Sequence, residues 1–490
     1  MKQAIVMGAG FGGLAAALRL LAKGYKVTIL EATSQPGGRA SVFKKNGFVF
    51  DAGPTVLTAP YLIDELFALF NKSRKEYIEL LPVDPFYRVE FPDGSRFDYV
   101  GDEAEILRQI KTFNPEDVEG YKKLAKKCRE IFEIGYLQLS DRPFESIVDM
   151  IKIVPKMIGL QNYHSVYSMV AKYIKDERLR QVFSFQPLLI GGNPFSTTSI
   201  YLLIHWLERK WGVFYPVGGT TALVNALVRL FKEHGGELVL DCPIENIQTS
   251  NGTVQGVLCS RSRQFSCDIL VCNGDPSYIY KNLLNNTERK KHQDNKISKR
   301  KPSPSLFVCY FGTNKIYNNI AHHTIILGPR YKGLLDDIFN HKKLANDFSL
   351  YLHAPSKTYV EMAPPGKEGF YVLSPVPNNL SKIDWSVQGP IYQQKILEHL
   401  HHNQLPGLLD HLEFSFFITP DYFQDHLRSI QGAAFGLEPN LLQSAYFRYH
   451  NRSEDIKGLF FVGASTHPGA GIPGVLSSAK VLERVIDSGN

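Results

Sequence analysis

Three glycines near the N-terminus have the clearest potential for chemistry: Gly8, Gly10 and Gly13 show the spacing G-x-G-x-x-G. Such glycines allow a tight turn, a close approach of the backbone to a pyrophosphate, and close packing of the next helix. The unpaired N–H groups at the start of that helix attract phosphate. Glu31 lies eighteen residues beyond Gly13 and can accept hydrogen bonds from ribose hydroxyls. The pattern predicts a site for an adenine dinucleotide, either FAD or NAD.

A second glycine-rich segment bears on that choice. Gly37, Gly38 and Arg39 place a flexible turn and a guanidinium shortly after Glu31. An arginine here can contact the phosphates of a cofactor or lie along its ring edge. NAD-binding chains usually proceed to another strand and helix, whereas this chain makes a glycine-rich excursion. The excursion favours the longer cofactor, FAD.

These residues need a β–α–β unit to position them. The apolar run at 3–7 predicts a strand, Leu14 to Ala22 predicts a helix that ends at Gly24, and Tyr25 to Leu30 predicts a second strand. A second pass through the same domain is predicted further along the chain. It comprises a helix within 217–236 and strands within 237–241, 244–248 and 268–275.

Length and composition describe an ordinary globular chain. Its 490 residues predict two or three domains, and 55 Lys+Arg against 48 Asp+Glu leave a mild net charge of +7. No apolar run is long enough to span a bilayer. The cysteines form no CxxC pair, so we expect free thiols in a reducing compartment and no metal site. They are Cys128, Cys242, Cys259, Cys267, Cys272 and Cys309.

Several motifs together resemble the FAD-dependent amine oxidase-like superfamily and, within it, the bacterial phytoene desaturases of carotenoid synthesis. The motifs are the glycine pattern at 8–13, Glu31, Pro36–Arg39 and "FDAGP" at 50–54, supported by "FNPEDVEGY" (113–121), "LLIGGNPF" (188–195), "VFYPVGGTTALV" (213–224), "FSLYLHAP" (348–355) and "THPGAGIPGV" (466–475). The resemblance implies an α/β fold. A Rossmann-like FAD-binding domain would be joined by a discontinuous mixed-sheet substrate domain and a helical, membrane-facing insert.

The resemblance also implies domain boundaries. The FAD-binding domain would comprise 1–72, 213–285 and 441–490, and the substrate domain 73–99 and 286–440. Residues 100–212 would form a helical, membrane-associating lid. Strands are expected within 76–99 and in the runs "SLFVCYFG" and "FYVLSPVP". The aromatic residues of the helical insert, taken together, could line an apolar tunnel.

The C-terminal segment "GASTHPGAGIPGV" is expected to complete the cofactor site. It would follow the last strand of the domain and pass beside the ribityl chain and isoalloxazine, and a helix from about Gly471 would point its N-terminus at the flavin. Many superfamily members carry an acid after Gly463, where this chain has Ala464 and Ser465, so Ser465, Thr466 or backbone N–H groups would hold the ribityl chain. Deletion of 463–490 is predicted to abolish FAD binding. The cofactor-binding residues predicted in full are Gly8, Gly10, Gly12, Gly13, Glu31, Gly37, Gly38, Arg39, Gly53, Gly463, Gly471, Ile472 and Pro473.

The implied reaction is the desaturation of 15-cis-phytoene to more conjugated carotenes such as lycopene. The flavin would accept one hydrogen as hydride, and a quinone or oxygen would reoxidise it. Few ionisable residues are expected in the cavity. Asp149 is a weak candidate for the proton acceptor, Arg142 and His353 are weaker, and no catalytic side chain is assigned.

The resemblance also implies peripheral contact with a membrane from the cytoplasm. Two segments are candidates, each with an alternative. The basic cluster between Arg289 and Lys301 could dock on anionic lipid or form a mobile solvated loop. The segment 198–216 could contact the membrane or form a buried helix. Nothing indicates nucleic-acid binding.

Other functions remain open on the sequence alone. Within the family they are a C30 diapophytoene desaturase, a carotene isomerase and a terminal-methyl oxidase. An amine oxidase is a more distant enzyme. A binder that resembles the Rab GDP-dissociation inhibitors would share the fold, lack the flavin and carry prenyl chains, but the intact glycines, Glu31 and Arg39 argue against it.

Overall fold

The computed structural model describes residues 1–487. Within that range the strands are β1 Gln3–Met7, β2 Lys26–Leu30, β3 Val42–Lys45, β4 Phe48–Asp51, β5 Leu80–Pro82, β6 Tyr87–Glu90, β7 Arg96–Tyr99, β8 Phe214–Pro216, β9 Glu237–Val239, β10 Ile244–Ser250, β11 Thr253–Cys259, β12 Arg263–Ser266, β13 Ile269–Cys272, β14 Ser305–Thr313, β15 His323–Ile326, β16 Leu350–His353, β17 Glu368–Val376, β18 Leu412–Ile418 and β19 Leu459–Phe461.

The α-helices of the same range are α1 Phe11–Ala22, α2 Tyr61–Ala68, α3 Glu103–Phe113, α4 Asp117–Gly135, α5 Ile147–Gly159, α6 Val166–Ala171, α7 Glu177–Val182, α8 Leu203–Trp211, α9 Thr220–Glu233, α10 Pro276–Leu283, α11 Asp294–Ile297, α12 Tyr331–Asp336, α13 Trp385–His402, α14 Leu408–His411, α15 Pro420–Asp425 and α16 Ile472–Asp487. Short 3₁₀ segments and one π-helical turn at Asp337–His341 connect them.

A five-stranded parallel sheet has the order β19-β13-β1-β2-β9. Its strands come from three distant parts of the chain, as the predicted repeated passes require. Helix α1 begins at Phe11 rather than Leu14, because Gly10 in extended conformation already serves as its N-cap. The shift brings the helix N-terminus up to the glycines, and α1 then packs against α9 and α16 in one apolar core.

A seven-stranded mixed sheet has the order β18-β14-β17-β16-β15-β6-β7. Only β15 and β6 pair in parallel; the other pairs are antiparallel. The strands expected within 76–99 are present, although β5 pairs with β8 outside this sheet. Helix α13 covers one face through Trp385, Ile396 and Leu400.

Residues 103–211 form the helices α3 to α8, as expected of the insert. The segment 198–216 packs inside the molecule, with α8 against α4 and the Trp211 ring 4.8 Å from Tyr61 and 5.4 Å from Phe132. The buried-helix alternative is therefore the correct one for this segment. The α/β fold class is confirmed, whereas the exact domain boundaries stay a prediction, and residues 488–490 of the last segment lie outside the described residues.

Candidate functional site

One large cavity of about 1110 Å³ lies between the parallel sheet, the seven-stranded sheet and the helices of 103–211. Glycines line one end and apolar side chains line the rest. Every predicted cofactor-binding residue except Gly13 lies on its wall, although these residues come from both ends of the chain. Residues that the sequence motifs predicted to act together are therefore brought together by the fold.

The N-terminal glycines form the base of this end. Gly8 has φ of +93°, a conformation that favours glycine. A Cβ on Gly13 would overlap the carbonyl oxygen of Gly8, and one on Gly12 would overlap the amide of Asn273. Gly13 thus acts by packing rather than by facing the cavity. The N-terminus of α1 is left open to a phosphate.

Glu31 lies at the carboxyl end of β2 and lines the cavity. Its Oε2 accepts a hydrogen bond from the Ala9 N–H at 2.8 Å, and its Oε1 accepts from the N–H and hydroxyl of Thr33 at 3.0 and 2.9 Å. The carboxylate thus fixes the glycine turn as well as offering lone pairs to a ligand. Its double role is more than the sequence alone suggested.

Arg39 spans the cavity edge between the glycine turn and the loop at Ser429. Its Nη2 donates to the Ser429 hydroxyl at 2.7 Å, whereas its Nε is buried with no hydrogen-bond partner among residues 1–487. A Cβ on Gly53 would overlap the Arg39 carbonyl oxygen, so Gly53 lets the two segments meet. A buried guanidinium N–H without an acceptor is costly, and an anionic or carbonyl-rich cofactor would satisfy it.

The C-terminal segment forms the opposite wall, as expected. Gly463 and Gly471 have φ of +103° and +90°, and α16 begins immediately afterwards with Ile472 and Pro473. The expected contacts of Ser465 and Thr466 differ in the structure: neither lines the cavity, and the Thr466 hydroxyl donates to the Gly463 carbonyl at 2.9 Å. The residues that would hold the ribityl chain stay a prediction, and of the predicted alternatives this arrangement favours the backbone N–H groups.

Apolar side chains line the remainder of the cavity. Tyr136, Tyr163 and Phe185 of the helical insert are on its wall, whereas Phe132 and Phe183 belong to the packed core. Only some of the aromatic residues of the insert therefore line the cavity, and the tunnel itself stays a prediction. Other apolar lining residues are Met150, Ile153, Met157, Leu188, Ile204, Leu207, Ile325, Leu327, Phe339 and Leu373.

Few ionisable residues line this apolar part, as expected, but sequence reasoning missed Glu208. It is 1% exposed, and its Oε1 accepts a hydrogen bond from the Tyr87 hydroxyl at 2.6 Å. Burial raises its pKa to about 8, although the Tyr87 hydrogen bond opposes the shift. His205 and Glu208 share one helix face by spacing, but nothing in the sequence told which face is buried.

The earlier catalytic candidates lie elsewhere. Asp149 accepts hydrogen bonds from the N–H and hydroxyl of Ser146 at 3.2 and 2.8 Å, which caps α5. Arg142 is exposed on a loop. His353 is fully buried, with its Nε2 3.1 Å from that of His322. None of the three lines the cavity, and their catalytic roles stay predictions.

The model of the flavin-containing amine oxidoreductase family matches residues 11–481. The chain belongs to this family. It is 49% identical, over 98% of each chain, to the lycopene-forming phytoene desaturase of Pantoea ananas. It is 32% identical to the 4,4'-diapolycopene-forming 4,4'-diapophytoene desaturase of Methylomonas sp, over 99% of this chain and 95% of that one.

Solved structures agree on the fold of this flavin oxidoreductase. Putrescine oxidase bound to putrescine superposes with a TM-score of 0.66 at 11% identity, over 99% of both chains. Cyclohexylamine oxidase from Brevibacterium oxydans gives 0.62 at 15% identity, over 100% of this chain and 99% of that one. At such identities the likeness extends to the fold alone.

Proposed function

We propose that this protein is an FAD-dependent desaturase that converts 15-cis-phytoene to lycopene. One observation carries the proposal: a single cavity joins the glycine-built end to a long apolar interior. A flavin at the first end would face a hydrocarbon in the second. The lycopene-forming relative at 49% identity supports the C40 substrate over the C30 substrate, whose relative shares 32%.

The chain's own residues fit FAD. The N-terminus of α1 and Gly10 would hold the pyrophosphate, Glu31 the ribose hydroxyls, and the buried Nε of Arg39 a polar atom of the cofactor. The N-terminus of α16 would face the flavin ring and stabilise its reduced, anionic form. When bound, FAD supplies the ability to accept a hydrogen together with its electron pair. The protein's task is to align the hydrocarbon and exclude water.

Helix α5 is the proposed membrane contact. Residues Met150, Ile153 and Met157 face the cavity, whereas Ile151 does not line it and is 62% exposed. Ile158 lies at the edge of the cavity wall and is 60% exposed. Ile147 and Val148 extend that exposed face. An amphipathic helix whose second apolar face meets solvent suits the interface of a bilayer. The substrate would then enter the cavity directly from lipid.

One residue of the basic cluster contacts the segment against which α5 packs. Helix α5 packs against Ala445–Phe447, and the Arg300 guanidinium donates to the Phe447 carbonyl at 2.5 Å. Arg289 is buried and pairs with Asp294 at 2.7 Å, which attaches one end of the cluster between Arg289 and Lys301 to the fold. Its exposed lysines would favour an anionic leaflet. They are Lys290, Lys291, Lys296, Lys299 and Lys301.

A membrane contact of this kind would be peripheral. No helix in residues 1–487 is long and apolar enough to cross a bilayer. We place the protein at the cytoplasmic face of a membrane, where a quinone or oxygen would reoxidise the flavin. The six cysteines are buried free thiols.

The test is expression in cells that accumulate colourless phytoene, with pigments separated by chromatography. Red lycopene is the expected product. Cells that accumulate the C30 precursor serve as the matched comparison and should yield less conversion. Unchanged phytoene in cells that contain the folded, flavin-loaded protein would overturn the proposal.

The flavin-free binder is tested separately. Purified protein mixed with FAD should acquire the visible absorbance of a bound flavin. A folded protein that stays colourless would favour the binder. An amine oxidase would instead consume amines and leave phytoene unchanged.

A further inference from the structure

Glu208 is a buried carboxyl group on the cavity wall, and only one of its two oxygen atoms has a hydrogen-bond partner among the described residues. Its Oε1 accepts from Tyr87, whereas its Oε2 is buried without a hydrogen-bond partner in the described chain. The neighbouring Arg209 turns away: its guanidinium donates to the Tyr121 hydroxyl at 2.8 Å and contacts Glu103 at 3.3 Å. Buried polar atoms nearly always have a hydrogen-bond partner, so an unpaired carboxylate oxygen in a residue of the cavity wall calls for an explanation.

A short chain of contacts connects Glu208 to the glycine-built end of the cavity. The rings of Tyr87 and His323 lie 5.8 Å apart, and His323 Nδ1 lies 2.6 Å from the Tyr351 hydroxyl. That hydroxyl lies 2.9 Å from the hydroxyl of Thr55, two residues beyond Gly53. Both Tyr351 and Thr55 line the cavity. These contacts link Glu208 to Thr55, which is close in sequence to Gly53 of the proposed cofactor end.

We propose that Glu208 is the catalytic base of the desaturation and accepts the substrate proton on Oε2. This inference rests on the proposed function. Each desaturation breaks two C–H bonds on adjacent carbons. One hydrogen leaves with its electron pair, for which the oxidised flavin is the acceptor; the other leaves as a proton to Oε2, and its bonding electrons form the new C=C bond.

The surroundings suit this role. Loss of hydride leaves positive charge on an allylic carbon, which a carboxylate in a low-dielectric cavity stabilises strongly. Proton transfer then converts a buried charge into a neutral acid, the form that burial favours. An allylic cation is a very strong acid, so a base of modest strength suffices.

The titratable groups near Glu208 are the Tyr87 hydroxyl of β6, the Tyr99 hydroxyl of β7 and, on α8 itself, His205 and Arg209. Only Arg209 is charged, and it is paired with Tyr121 and Glu103. The pKa of His205 is lowered by burial to about 3, and Tyr99 lies 2.5 Å from its Nδ1. Burial raises the pKa of both tyrosines well above 10. Glu208 is therefore the group whose ionisation changes near neutral pH at this point of the cavity.

The test compares Glu208→Gln with wild type in anaerobic single-turnover reduction of the bound flavin by phytoene. The substitution keeps the shape and an acceptor for Tyr87 but removes the base, so we expect the rate to fall about 10²–10⁴-fold. Glu90→Gln is the matched control, since Glu90 is a buried acid on the same strand as Tyr87 that does not line the cavity. Flavin binding should be unchanged in both variants.

A pH profile separates a base from a structural residue. The wild-type rate should rise with pH through about 8, because the carboxylate form is the active one, and Glu208→Gln should lack this limb. Tyr87→Phe removes the hydrogen bond that lowers the pKa of Glu208, so its limb should move to higher pH. Glu208→Asp should retain the limb at a reduced rate.

The outcomes distinguish the two proposals. If phytoene fails to reduce the flavin of the wild type, the proposed function is wrong. If the wild type reacts and Glu208→Gln reacts within about threefold of it, with the same pH limb, the assignment of the base is wrong. If Glu208→Gln fails to fold, the other two variants decide. The assignment is wrong if the pH dependence of the rate is unshifted in Tyr87→Phe, or if Glu208→Asp shows no rise of the rate with pH.

Discussion

The two ends of the cavity are built in different ways. The glycine end is shaped by backbone: Gly8, Gly37, Gly463 and Gly471 all have positive φ, and the wall is a set of turns and helix N-termini. The apolar end is shaped by side chains on α5, α8 and the seven-stranded sheet. The first end would bind its ligand through fixed backbone N–H groups, whereas the second would bind a hydrocarbon by removing apolar surface from water.

The difference predicts different tolerance to substitution. A backbone site fails when one Cβ fills a close approach, because nothing around it can move away. A side-chain cavity changes volume and adapts, since hydrophobic replacements of similar size cost little. Flavin binding should therefore be weakened strongly by a single added Cβ atom. Hydrocarbon binding should depend on the total apolar surface that the cavity buries.

The largest effect is expected from deletion of 463–490. The deletion removes α16 and the loop that follows β19, both of which belong to the glycine end. The truncated protein should lose flavin binding although the N-terminal glycines remain. Equilibrium dialysis with FAD measures it, and Gly471→Val serves as the folded companion variant, since Gly471 has φ of +90°. Tight FAD binding by the deletion would contradict the two-sided cofactor site; residues 488–490 of the deleted range lie outside the described residues.

Gly13→Ala should come next. Its Cβ would overlap the Gly8 carbonyl oxygen, and relief of that overlap must distort the turn. Overpacking typically costs about 1–3 kcal/mol, so the Kd for FAD should rise about 10–100-fold. The control is Gly159→Ala at the end of α5, where a Cβ meets nothing within 4 Å. Equal Kd values for the two variants would show that the glycine end tolerates side chains after all.

The apolar end is probed by Ile151→Glu on α5. Loss of one exposed apolar contact and the addition of charge should weaken binding to anionic vesicles by about 2 kcal/mol, or about 30-fold. Val387→Glu on α13 is the matched control, because Val387 is similarly exposed, at 55%, and remote from the cavity wall. If the two variants cosediment with anionic vesicles to the same extent, α5 is not the membrane contact.

The smallest effect concerns charge. Lys296→Gln and Lys299→Gln should each weaken binding to anionic vesicles by about 1 kcal/mol, and high salt should abolish the difference. Lys395→Gln on α13 carries the same change of charge on another surface and should have no effect. A loss that persists in high salt or on neutral vesicles would assign these lysines another role.

The same contrast decides what could be predicted from the sequence. Spacing of glycines depends on local backbone geometry, so the glycines and Glu31 at one end of the cavity and the β–α–β order were predictable. The start of α1 was missed by three residues, because Gly10 acts as a cap without a side chain. Glu208 and the exposed face of α5 were not predictable, since burial on a helix follows from the elements packed against it.

Asp149 shows most clearly what could not be predicted from the sequence. An acid in an apolar helical run suggested chemistry, yet it sits in a capping box with Ser146, a role that sequence spacing also allows. Glu208 has an equally ordinary context in the sequence and a cavity in front of it. Only tertiary packing separates the two.

The most direct test of the account is anaerobic mixing of the FAD-loaded protein with phytoene in anionic vesicles, with flavin absorbance and carotene products followed together. The account predicts that each new double bond reduces one flavin, and that the vesicle-bound protein reacts faster than protein held off the vesicles by Ile151→Glu. A flavin that binds tightly but stays oxidised with phytoene, while an amine reduces it, would contradict the account.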